Sequence, residues 1–291
     1  MAFEDLMATV SRWLVATEAL AALGAELSLV RDGGAAPPEL AAALRAVSTA
    51  AGLPEVGGLS PPRRDMVIGV IRMAVRQAAD LLDEPGRPPG WAFTDGEILQ
   101  GWGGGSTMVP AMLASAPELG DVHAFLDVGT GVGLLAIAAA GVWPEASIVG
   151  IDIWEPSLRR AADNVAGAGM GQRITLRNQN VADVDETGAY DCAWFPTFFV
   201  TEAVFDVALP RLYRALRPGG WLVLGGMSAP ADPLAGSTVA LRTLRNGGAL
   251  FDATHLTGSL ERTGCTAIRT LPRRGPAPLV YVIGQRPAQQ A

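Results

Sequence analysis

The sequence contains no lysine, so every side-chain cation other than histidine is one of 22 arginines. This excludes a lysine Schiff base and the phosphate-gripping lysine of a P-loop. Histidine and cysteine are nearly as scarce, limited to His123 with His255 and Cys192 with Cys265. The cysteines form no CxxC pair and stand at no spacing that would complete a tetrahedral Cys/His site. They read as reduced core thiols, and no metal is expected. Basic charge is short overall: 29 acidic residues give a formal net charge of -7, unsuited to unaided binding of a nucleic-acid backbone. The Ala-rich stretch 13–30 is interrupted by Glu18 and Glu26, so no uncharged run has the length of a membrane span. The opening MAFEDLMATVSRW carries acids where a secretory signal needs bases. The expectation is a cytoplasmic protein that engages neither membrane nor nucleic acid.

What is abundant is apolar. At 49% hydrophobic and 18% charged residues, the chain can bury a large core. Residues 1–92 show helical spacing at 4–29, 38–52 and from Ser60-Pro61 onward, where Ser is placed as N-cap and Pro in the first turn. Residues 93–119 read as a connecting helical lid segment. From 120 to 291 the pattern becomes short apolar strands alternating with helices: 123–128, 147–152, 173–178, 190–195, 221–226, 265–271 and 278–284. That alternation predicts an α/β fold with a doubly wound, mostly parallel seven-stranded sheet. Only PRRGPA joins the last two strands, too short for a parallel crossover, so the last strand is antiparallel.

The first strand runs into FLDVGTGVG (125–133), where glycines 129, 131 and 133 permit a tight turn and close approach of backbone to a ligand. Asp152 ends the second strand, 19 residues after Gly133, placed to accept both hydroxyls of a ribose. A nucleoside-bearing cofactor follows. The dinucleotide fingerprint would need glycine at 134, which is Leu134; instead Asp127 precedes the first glycine by two, suited to a cationic amino-acid end.

The chain resembles the class I S-adenosylmethionine-dependent methyltransferases of small-molecule type. The resemblance rests on DVGTGVG (127–133), VGIDIWEPSL (149–158), ITLRNQNVAD (174–183), YDCAWF (190–195) and LRPGGWLVLGG (216–226), and covers roughly 120–291. It implies S-adenosylmethionine as cofactor. Asp127, Gly129, Thr130, Gly131 and Gly133 would hold its methionine moiety, with Phe195 alongside. Asp152 would take the ribose, Ile153 and Trp154 would flank adenine, and Val181 would reach adenine through its N–H. Asn180 stands where the family usually has an aspartate near the adenine amine.

For the acceptor, Thr197, Phe198 and Phe199 after the fourth strand, with Met108, indicate a small apolar or aromatic molecule. Base candidates are few. The plainer reading of Glu202 is a first-turn helix charge, and that of His255 a helix-surface residue. Transfer is therefore expected to rest on proximity and desolvation. A fold repurposed for a cofactor-assisted cyclisation, an NAD-dependent oxidoreductase and a non-enzymatic scaffold remain as alternatives. The N-terminal helices suit a cover over the substrate or a homodimer contact. GWGGGSTM (101–108), after a short helix capped by Thr94 or Asp95, reads either as a lid or as a helix-breaking linker. As a lid, it would bring Trp102 and Ser106 to the cofactor.

Overall fold

A computed structural model describes residues 2–53, 58–272 and 278–288. They divide into two compact units, Met1–Pro85 with Asp95–Gly105, and Gly86–Thr94 with Ser106–Ala291. The 93–119 segment, read from sequence as one connecting lid, is thus shared between them.

The first unit is helical: α1 (Phe3–Asp32), α2 (Pro38–Ala50), α3 (Pro61–Asp83) and α4 (Gly96–Gly104). Gly33 stops α1 in the left-handed conformation, and prolines open α2 and α3. Ser60 is the N-cap of α3, but its hydroxyl makes no capping bond; Asp95 does cap α4, accepting from the N–H groups of Glu97 and Ile98. Leu27, Ile68 and Ile71 form a small core, and Arg31 of α1 and Arg72 of α3 both pair with Glu97 of α4. By length and composition α1 is long and apolar enough to cross a membrane despite its two central glutamates, with a mean hydropathy of 1.5 over its most apolar stretch. Phe3, Trp13, Leu14 and Val15 are exposed along it.

The glycine-rich stretch is corrected here. Sequence reasoning ended the helix at Gln100, whereas α4 continues through Gly104. Gly101 meets Gly69 of α3 backbone to backbone: a side chain on either would come within 2.3 Å of the other's Cα. Gly101 therefore belongs to a helix crossing, and the entropy it costs is offset by close packing.

The second unit carries seven strands: β1 (Ala124–Val128), β2 (Ser147–Asp152), β3 (Ile174–Asn178), β4 (Tyr190–Pro196), β5 (Leu216–Met227), β6 (Thr266–Thr270) and β7 (Leu279–Gln285). Their order is β3-β2-β1-β4-β5-β7-β6, with β7 antiparallel to both its neighbours. The expected terminal hairpin is therefore present, although residues 273–277 of its connection lie outside the described residues. β5 begins earlier than the expected 221, at Leu216, with a register shift beside β4 between Tyr190 and Cys192. Helices α5 (Val109–Ala114), α6 (Leu134–Val142), α7 (Glu155–Gly167), α8 (Glu202–Ala215), α9 (Pro233–Arg245) and α10 (Ala253–Thr263) complete the unit. Alternation along the strands splits the core. Phe125, Ile148, Cys192, Trp221 and Ile283 face one layer; Leu126, Ala193, Phe195, Leu222 and Val282 face the other. Both thiols are buried and unpaired, and burial pushes that of Cys265 up to about 12. The strand order reverses between β1 and β4, so a crevice is expected at their carboxyl ends.

The Gly69–Gly101 crossing has a direct test. Gly101→Ala should destabilise the helical unit by about 1–3 kcal/mol through overpacking. Gly104→Ala, whose methyl would meet only Met66 Cβ at 4.0 Å, should be neutral or stabilising in the same denaturant titration.

Candidate functional site

β1 delivers Asp127 into the sheet interior and then turns through Gly129, Gly131 and Gly133, whose φ values are +66°, +55° and +76°. An L side chain is strained at each, so the loop needs glycine. Gly133 is the N-cap of α6, and the Thr130 N–H donates to Ile151 O at 3.0 Å, stitching the loop to β2. Asp127 is 1% exposed. The Thr130 hydroxyl donates to its Oδ2 at 2.7 Å, while Oδ1 is enclosed and meets no donor. Opposite Asp127 in the β1–β2 register stands Gly150, where a side chain would strike Thr130 Oγ1 at 2.7 Å. Gly150 therefore makes the room that lets Thr130 reach the carboxyl. Burial raises the Asp127 pKa to about 7; the Thr130 hydroxyl and the Ala136 N–H oppose the rise, and the nearby Asp152 adds to it.

Asp152, at the end of β2, accepts from Gly131 N and Trp154 N, each at 2.8 Å. Burial raises its pKa too, against the N–H groups of Trp154, Gly131 and Ile153. Ile153 is 65% exposed. The Trp154 indole N–H donates to Phe93 O at 2.8 Å, so this ring is tied down within the unit. Asn180 uses its side-chain oxygen to cap the turn Val181–Asp183, accepting from Ala182 N at 2.9 Å, and Val181 is buried.

Several expected contacts are relocated. Phe195 shares the face of Ala193, is fully buried and stacks on Phe205 with centroids 6.0 Å apart; its ring belongs to the core. Thr197 is likewise withdrawn as an acceptor contact, because it is buried and its hydroxyl donates to Gly225 O of β5 at 2.9 Å. Glu202 is an exposed opening residue of α8, the helix-charge reading. His255 is not a plain surface residue: its ring lies 4.7 Å from that of Phe251 and 5.9 Å from that of Phe205, and Nε2 is buried without a partner. Trp102 lies in the first unit, Ser106 and the exposed Met108 in the second. Phe198 and Phe199 are half-buried in the turn that follows β4.

Sequence reasoning missed Trp91 and Phe93. They follow PGRPPG, a composition that reads as linker. In the structure their segment crosses the carboxyl ends of the strands. Trp91 meets Phe93 at 5.2 Å and Phe199 at 5.6 Å, both edge-on. The result is a continuous run of contacts around the crevice: from Gly129, whose Cβ position lies 3.5 Å from Pro196 Cγ, through Phe199, Trp91, Phe93 and Trp154 to Asp152 and Gly131.

Residues 125–220 match the family model described as a methyltransferase domain. The ribosomal protein uL3 glutamine methyltransferase of Bordetella pertussis is 39% identical over 93 residues, 32% of this chain and 31% of that protein. Nocamycin O-methyltransferase of Saccharothrix syringae is 36% identical over 133 residues, 44% of this chain and 45% of that protein. The chain thus spans less than half the length of these two relatives. The crystal structure of human N-acetylserotonin methyltransferase in complex with S-adenosylmethionine aligns over 99% of this chain and 100% of its own, with TM-score 0.71 and 14% identity. The chain carries the class I methyltransferase fold. Within this methyltransferase fold, the matched segment begins two residues before Asp127 and ends inside β5, enclosing both site carboxylates.

The buried carboxyl makes stability depend on pH. Its pKa rises from 3.8 to about 7 on folding, so the folded state binds the proton more tightly. Its contribution is fully present below pH 3.8 and is lost as pH rises to about 7. Asp127→Asn removes this slope. In thermal unfolding without ligand, the variant should therefore gain on the wild type as pH is raised from 5 towards neutrality, by up to about 1.4 kcal/mol for each pH unit.

Proposed function

We propose that this chain transfers a methyl group from S-adenosylmethionine to a small apolar or aromatic acceptor. The observation that carries the reading is Asp127, a buried carboxyl whose Oδ1 lacks a donor, beside three left-handed glycines and a second carboxylate, Asp152. S-adenosylmethionine fits this set, since its ammonium and its ribose hydroxyls are donors for two carboxylates; when bound, it supplies a methyl group activated on a sulfonium.

The chain's own residues bind, orient and exclude water. Asp127 Oδ1 would accept from the ammonium, and that positive charge would favour loss of the carboxyl proton to solvent. The loop glycines let the backbone approach. Each Asp152 oxygen has a lone pair beyond its bond to Gly131 or Trp154, and the Asn180 oxygen has one beyond its bond to Ala182. Glu202 is exposed and His255 packs among phenylalanines, so the rate rests on alignment at the methyl group and on desolvation. The names of nocamycin O-methyltransferase and N-acetylserotonin methyltransferase support a small-molecule acceptor.

Calorimetry tests the cofactor. S-adenosylmethionine and S-adenosylhomocysteine should bind and NAD should not; the reverse pattern overturns the reading. Because binding needs ionised Asp127, affinity should level off above pH about 7 and fall below it, by up to about tenfold per pH unit. Asp127→Ala should weaken binding about 100-fold, by removing the charged partner. Glu202→Gln and His255→Ala should both leave turnover near wild type; a loss of several orders of magnitude in either would restore a base to the mechanism.

A further inference from the structure

Three segments of the second unit, far apart in sequence, meet beside the turn that follows β4. The first is the strap Gly86–Thr94. It is tied to the end of α9, where Gly90 N donates to Arg245 O and Arg245 Nη1 donates to Arg87 O, both at 3.0 Å. The second is the turn after α9, Asn246-Gly247-Gly248. Here the strap and the β4 turn come so close that only glycine fits: a side chain on Gly247 would meet Gly90 Cα at 3.1 Å, and one on Gly248 would meet Phe198 O at 1.9 Å. The third is the turn Thr197–Phe199, where Phe198 and Phe199 lie 4.6 Å apart, with Trp91 of the strap edge-on to Phe199.

Two features of this junction are unexplained by folding. Trp91, Phe198 and Phe199 are only half-buried, so this aromatic cluster is not fully covered by the fold. Asn246 is 6% exposed, and its Oδ1 is enclosed without a donor. A buried amide oxygen left unpaired costs free energy, and such a group calls for a donor from water or from a ligand.

We propose that Trp91, Phe198 and Phe199 hold a flat aromatic acceptor, and that Asn246 Oδ1 accepts the hydrogen of an O–H or N–H group on it. This rests on the methyl-transfer reading and names the acceptor class for the same crevice. Aromatic edges and faces select a planar ring. An amide oxygen can accept a hydrogen bond but takes no proton at neutral pH, so Asn246 positions the acceptor group and does not act as a base. An acceptor without the donor leaves the oxygen unpaired, which is the stronger form of discrimination. The box adjoins the glycine loop through Pro196, so an acceptor held there lies beside the group bound at Asp127.

The test uses 2-naphthol and 2-methoxynaphthalene, which share the ring but differ in the hydroxyl donor, titrated into protein loaded with S-adenosylhomocysteine. Wild type should bind 2-naphthol at least about tenfold more tightly, the scale of one buried hydrogen bond. Asn246→Ala should bring the ratio close to one, with S-adenosylhomocysteine affinity within about twofold of wild type. Trp91→Ala should weaken both probes by about tenfold, and Trp91→Phe, which keeps a ring, should recover most of that loss. A ratio near one in wild type, a ratio unchanged in Asn246→Ala, or unaltered binding in Trp91→Ala would each overturn the site. So would a wild type that holds S-adenosylhomocysteine but neither naphthalene. Failure of wild type to bind S-adenosylhomocysteine would instead overturn the cofactor reading on which the site rests.

Discussion

The buried carboxyl of Asp127 is the constraint around which the crevice is arranged. A carboxyl taken out of water resists ionisation, and one whose second oxygen finds no donor carries a further cost. The side chain that bonds it is the Thr130 hydroxyl, and Thr130 reaches it only because position 150 in the neighbouring strand has no side chain. The left-handed glycines turn the chain immediately after it. Each of these choices weakens the apo fold a little. Together they leave a buried carboxyl oxygen without a donor beside the glycine loop.

The second carboxylate works differently. Asp152 spends its bonds on Gly131 and Trp154, so it fastens the glycine loop to the residues after β2. Trp154 in turn holds Phe93, and the strap brings Trp91 to Phe199. The glycine loop and the aromatic turn after β4 are thus linked through one run of contacts.

What the sequence made legible follows the range of the interactions concerned. The sheet, its reversed last strand, and the pairing of Asp127 with Asp152 depend on local periodicity and spacing, and these were readable. Asn246 and Trp91 were not, because each acquires meaning only when α9, the strap and the β4 turn meet. Gly101 was misread for the same reason: its partner, Gly69, lies a helix away. Phe195 and Thr197 are a different case. Strand parity places Phe195 with Ala193 on the α8 side of the sheet, so the sequence held that information while the resemblance pointed to the ligand. A resemblance assigns a position to a site; it does not say whether the side chain or only the backbone faces it.

The scarcity of titratable groups then becomes intelligible. Glu202 lies in solvent and His255 among phenylalanines, while the two carboxyls beside the glycine loop, Asp127 and Asp152, are both held towards the protonated form by burial. Proton removal by the protein would require a group whose charge changes near the acceptor, and such a group would also perturb Asp127, already poised near neutrality. An uncharged amide beside an aromatic wall avoids that coupling. On the proposed reading it would orient an acceptor that sheds its proton to water without altering the charge balance at Asp127. The same low dielectric that makes Asp127 reluctant to ionise alone strengthens its pairing once a cation arrives, so both ends of the crevice gain from the exclusion of water.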